Sequence, residues 1–145
     1  MISFMIRFSA RVELYPTEDP NAVRKALMNL FPESVITDGG SFLACVPENI
    51  DQLVALITEQ KIRYAFIEQI NRNTQGNRFC INLNKQAALA GRVNIADEPK
   101  PLGSIELSGE TENPVLYFEK LLDILGYVSS RWENDESRIT HSADG

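Results

Sequence analysis

The sequence predicts an α+β domain, a two-layer sandwich in which a mostly antiparallel sheet carries helices on one face. Three observations predict it. Several short segments alternate apolar and polar residues, so each strand has one buried and one solvated side. Apolar stripes at helical spacing, with recognisable caps, lie between them. Glycine-containing turn signals such as Asp38-Gly39-Gly40 join neighbouring apolar runs as hairpins.

The elements follow in order. Ile6, Phe8, Ala10, Val12 and Leu14 alternate with Arg7, Ser9, Arg11 and Glu13, which is a strand with a clean division of faces. Asp19 as cap and Pro20 at the first helical position open a helix to Phe31, closed by Pro32. The runs on either side of Asp38-Gly39-Gly40 make a hairpin. Ile50, Leu53, Val54 and Ile57, then Ile62, Phe66 and Ile70, keep helical spacing with a bend near Gln60. Phe79, Ile81 and Leu83 alternate as a strand; Asn84 caps a short helix, Lys85 to Ala90, which Gly91 ends. Val93 with Ile95, and Ile105 with Leu107, predict two further strands. Asn113 and Pro114 open a final helix with Val115, Phe118, Leu121, Leu122 and Leu125 on its buried side, ended by Gly126. Residues 1–126 are expected to form one domain and residues 127–145 a polar, flexible tail.

Length and composition bound the class. A chain of 145 residues buries roughly 68–70% of its unfolded surface and needs no disulfide or metal to hold it. With 43% hydrophobic and 23% charged residues, it contains no apolar run near the roughly 20 residues that cross a bilayer. The opening Met1-Ile2-Ser3-Phe4-Met5 lacks the basic start and cleavage site of a signal peptide, so a cytoplasmic location is expected. Cys45 and Cys80 are then expected to stay reduced. His141, the single histidine, lies in the tail, which excludes histidine-based dyads, triads and multi-histidine metal sites within one chain. Glu13, Glu18 and Asp19 cluster near the first turn, but capping accounts for Asp19 better than a metal does. No catalytic constellation, metal site or cofactor is expected.

The net charge of −6 is unevenly spread: residues 61–92 carry +5, residues 32–60 carry −5 and residues 93–145 carry −7. Strand parity places Arg7 and Arg11 on the outward side of the first strand, and Arg78, Asn82 and Asn84 on the outward side of the Phe79 strand. Arg92 takes the same side of the Val93 strand. If these strands are neighbours, four arginines share one open face. Asn84 with the amides of Lys85 and Gln86 adds a helix amino terminus suited to a phosphate. The expected nucleic-acid contacts are therefore Arg7, Arg11, Arg78, Lys85 and Arg92 to phosphates, and Asn82, Asn84 and Gln86 to backbone or sugar, with RNA as partner. Phe8 and Phe79 point inward, so no stacking platform is expected and binding should follow shape and phosphates. Two competing readings use the same residues: a subunit interface through the open face, and an enzyme acting on a phosphorylated small molecule at the helix start near Asn84.

The blocks Tyr15-Pro16-Thr17-Glu18-Asp19-Pro20 and Leu83-Asn84-Lys85-Gln86-Ala87-Ala88, followed by Pro101-Leu102-Gly103-Ser104-Ile105-Glu106-Leu107, resemble the archaeal uncharacterised protein family 0201. The similarity runs in matching order through most of residues 6–109 and weakens beyond Glu110. The resemblance implies an α+β fold similar to that of the ribosomal protein that binds 5S ribosomal RNA, a tendency to form homodimers, and a role in RNA binding. It supplies no catalytic residues.

Overall fold

The computed structural model describes residues 7–96 and 103–124. Strand β1 (Arg7–Glu13) buries every second side chain, Phe8, Ala10 and Val12, as its alternation requires. Helix α1 (Pro20–Leu30) starts where Asp19 Oδ1 accepts from the amide of Asn21 at 2.9 Å, and it buries Val23, Ala26, Leu27 and Leu30. The hairpin β2 (Ile36–Asp38) and β3 (Phe42–Cys45) follows. The expected bend near Gln60 divides α2 (Asp51–Gln60) from α3 (Arg63–Arg72): Lys61 enters the left-handed region at φ 58° and its N–H donates to Ile57 and Thr58. Then come β4 (Thr74–Gln75), β5 (Arg78–Asn84), α4 (Lys85–Leu89), β6 (Ile95–Ala96) and β7 (Ser104–Glu110). Residues 114–124 form helix α5. The expected end of that helix at Leu125 and Gly126, and the expected tail at 127–145, lie outside the described residues.

All strand pairs are antiparallel, in the order β2-β3-β1-β7-β5-β4, with β6 also pairing β5. One face of the sheet packs against the helices. Phe8, Leu43, Phe79, Ile81, Leu83, Ile105 and Leu107 meet Leu27, Leu30, Leu53, Ile57, Phe66, Ile70 and Phe118 in a single core. Phe118 stands edge-on to Phe79 at 5.0 Å and to Phe66 at 5.3 Å between ring centres, which ties the last helix to both layers. Burial of each such side chain contributes about 1.5–3 kcal/mol. The α+β sandwich expected from the alternation is the fold observed, and among the described residues no helix covers the other face of β1, β7 and β5.

Two sequence expectations are corrected here. The first strand and the Phe79 strand are not neighbours, because β7 runs between them. The strand expected around Val93 shrinks to Ile95–Ala96. The side-chain amide of Gln60 donates to the carbonyl of Val93 and accepts from its N–H, both at 2.8 Å, and so takes the groups a ladder would use.

Candidate nucleic-acid interface

The open face is built by register. Arg7 on β1 stands opposite Glu110 on β7, which stands opposite Arg78 on β5. One step along, Ser9, Ser108 and Cys80 share a rung; at the next, Ala44 of β3, Arg11, Glu106 and Asn82 do. Pleat alternation thus brings Arg7, Arg11, Arg78 and Asn82 to one surface, as parity requires. Intervening β7 contributes Glu106 and Glu110, and Glu13 completes the outward side of β1. Among the described residues on these strands, three arginines therefore meet three glutamates, and the face alternates in charge rather than being uniformly positive.

Arg7 and Arg78 are exposed and form no ion pair among the described residues. Arg11 differs. Its Nε donates to Glu13 Oε1 at 3.2 Å, and its guanidinium carbon lies 3.9 Å from the centre of the Phe42 ring. Phe42 pairs with Glu13 and so lies on the outward side of β3. The expectation of an open face without an aromatic ring is corrected by this residue. The missed signal was parity itself: Leu43 and Cys45 are buried, which turns Phe42 outward. On β5 the thiol of Cys80 is pushed up to about 11 by burial and then by the charge and hydrogen bond of Glu106, with Arg78 opposing. Cys45 faces the core and Cys80 the open side, so the sheet itself separates the two thiols.

Lys85 departs from its expected role. Its side chain is 3% exposed, and Nζ donates to Glu18 Oε1 at 2.8 Å, to Glu18 Oε2 at 3.0 Å and to the carbonyl of Glu13 at 3.0 Å. An ammonium has three protons, and these partners use them all. It does not reach the open face. Asn84 is also engaged, its side chain accepting from the amide of Ala87 at 2.8 Å as the cap of α4. Gln86 is exposed beside a small cavity of about 200 Å³ whose lining includes Glu18 and Asp19, carboxylates that repel a phosphate. Arg92 is exposed in the turn after α4, off any strand, its backbone N–H bonded to Ala87. The +5 segment is thus divided: Arg63 pairs with Asp123 at 2.6 Å and Arg72 with Glu68 at 2.8 Å on α3, Lys85 is buried, and only Arg78 stands on the open sheet. Glu13, Glu18 and Asp19 likewise take three different partners, Arg11, Lys85 and the α1 amide.

Lys85 has another significance. Tyr15 lies 5.0 Å beneath its Nζ, Glu18 binds it, and Gly103 packs against its stem. The three sequence blocks singled out above are distant along the chain, and they converge on this one side chain. A family model described as RNA binding matches residues 7–111. A UPF0201 protein of Pyrococcus abyssi is 31% identical, over 79% of this chain and 87% of its own. The chain belongs to the UPF0201 family. A UPF0201 protein of Sulfurisphaera tokodaii is 29% identical over 139 residues, 90% of this chain and 96% of that one. The crystal structure of an uncharacterised UPF0201 protein superposes with a TM-score of 0.70 at 28% identity, covering 81% of this chain and 90% of the other. In this UPF0201 chain the three blocks meet at the Lys85 junction, and the third also brings Glu106 to the open sheet. No helix among the described residues is long and apolar enough to cross a membrane.

Proposed function

We propose that the open face of the sheet binds RNA. The rung Arg7–Glu110–Arg78 carries the reading: it holds two exposed guanidinium groups two strand spacings apart, about 10 Å, with no ion partner among the described residues. A guanidinium fork bonds phosphate oxygens in pairs. Asn82 adds an amide on the same side, and the description of the family supports the same partner. Lys85 and Asn84 are left out, because the fold uses both. Gln86 and Arg92 lie beyond the sheet and extend the contact only if the RNA passes its β6 edge.

The interleaved glutamates set the character of the binding. With about two phosphates neutralised, log affinity falls against log salt with a slope between about −1.4 and −1.8, far shallower than for a uniformly basic surface. Phosphates can settle only where Arg7 and Arg78 stand, since Glu106 and Glu110 repel them elsewhere. The protein on this reading is a cytoplasmic binding module rather than an enzyme. Homodimer formation belongs to the same proposal: Tyr64, Leu116 and Ile124 are exposed in the helical layer, and joining there leaves both sheets open.

Titration of a labelled RNA hairpin tests it. Arg78→Glu should lose affinity while its sedimentation mass equals that of the parent. Unchanged affinity would refute RNA binding at this face, and a change of mass would assign the face to subunit contact instead.

A further inference from the structure

Resting on the reading of the open sheet as an RNA surface, we propose that the Arg11–Phe42 stack is a docking plate for one unpaired nucleobase, its edge read by Glu106 and Asn82. The plate is built in place. Phe42 is half-buried, and a Cβ on Gly39 would collide with its ring, so the hairpin turn closes around the ring only because residue 39 is glycine. The guanidinium carbon of Arg11 lies over that ring, 3.9 Å from its centre, and Glu13 holds Nε at 3.2 Å. With the Phe42 ring against the guanidinium and the side chain still 49% exposed, Arg11 keeps surface on which a base can stack. Bases splayed from single strands stack on arginine planes as well as on aromatic rings.

The rung beside the plate supplies a reader. Glu106 stands directly opposite Arg11, and Asn82 directly opposite Glu106. A carboxylate accepts from an exocyclic amino group, present on cytosine, adenine and guanine and absent from uracil. Among the described residues Asn82 makes no side-chain hydrogen bond, so its half-buried amide has both donor and acceptor to offer. A carboxylate between an arginine and an amide is a liability for holding a phosphate backbone and an asset for selecting a base. The stack also needs its base unpaired, because a duplex keeps base faces covered. The ligand class is therefore single-stranded or looped RNA with an amino-bearing base at the plate, its flanking phosphates falling to Arg7 and Arg78.

Fluorescence anisotropy of the full chain with labelled oligo(C), oligo(U) and an RNA duplex of equal length tests this. Oligo(C) should bind more tightly than oligo(U), and both more tightly than the duplex. Arg11→Lys keeps the charge and removes the plane, and it should lower affinity for oligo(C) about ten-fold while leaving duplex affinity unchanged. Glu106→Ala should erase the preference for C over U, whatever it does to affinity in general. Phe42→Leu should repeat the effect of Arg11→Lys; if Phe42→Leu proves unfolded by circular dichroism, Arg11→Lys decides alone. Equal binding by Arg11→Lys and the parent, or a preference for duplex, overturns the plate and leaves the RNA surface standing. Absence of binding to all three RNAs, or Arg7→Glu and Arg78→Glu binding like the parent, overturns the RNA reading itself.

Discussion

Lys85 Nζ lies 2.8 Å from Glu18 Oε1, joining the first residue of α4 to the turn before α1 across 67 positions of sequence. The lysine is 3% exposed and the glutamate 20%, so this is a buried pair. Loss of one partner strands the other charge away from water, which costs about 3–5 kcal/mol. Glu18→Ala and Lys85→Ala should each lower the urea midpoint accordingly. The double change Glu18→Leu with Lys85→Met should recover much of that loss, because an apolar pair needs no counter-charge. Equilibrium unfolding of the four proteins checks it, and additive losses would be the wrong result.

Gly103 sits at φ 121°, and a Cβ there would lie 2.5 Å from Lys85 Cε and Nζ. Gly103→Ala should therefore destabilise by more than about 1 kcal/mol, from both backbone strain and displacement of the lysine stem. In a Lys85→Ala background the steric part should vanish and the cost should shrink. Thermal melts of the single and double variants read the difference.

On the open face, Arg7→Glu and Arg78→Glu should each weaken RNA binding and make the salt slope shallower by about 0.7–0.9. Arg63→Glu, on the helical layer where Arg63 already pairs with Asp123, should leave both affinity and slope as they are. Titrations at low and physiological salt separate the two classes.

Cys80 offers a probe of the same face. Its pKa is pushed up from 9.0 to about 11, so the thiol stays protonated at neutral pH and should alkylate slowly in the folded protein. Burial favours the neutral thiol, and this preference stabilises the fold fully below pH 9.0 and is lost as pH rises through about 11. Glu106→Gln removes the neighbouring negative charge, lowers that pKa and should speed alkylation by iodoacetamide, counted by mass spectrometry. Arg78→Glu should slow it further.

Much of this was legible from period alone. A strand's side chains alternate without exception, so Arg7, Arg11, Arg78 and Asn82 could be assigned to one surface from Phe8, Val12, Phe79 and Ile81. The caps Asp19 and Asn84 were readable because short oxygens before an apolar stripe have few other uses. Strand order was not readable, since nothing local in Ser104–Glu110 says which edges it will join, and that order brings Glu106 and Glu110 between the arginines. Lys85 was misplaced for a related reason. A lysine at a helix start is ordinarily solvated, and only the tertiary approach of Glu18 and Gly103 makes burial tolerable. Phe42 and the backbone clamp of Gln60 on Val93 are likewise contacts between segments far apart in sequence or across a turn.

The central place of β7 bears on how the chain comes to be folded at all. β1 gathers β3 and β2 on one flank, β5 gathers β4 and β6 on the other, and among the described strands only β7 touches both groups. While the polypeptide is being synthesised, two separate sheet fragments await β7, and their bare inner edges are open to wrong partners until it inserts. Cooperative assembly is thus delayed until residues 104–110 have emerged, and any nascent chain released before residue 104 lacks the seam that would make its two halves one sheet.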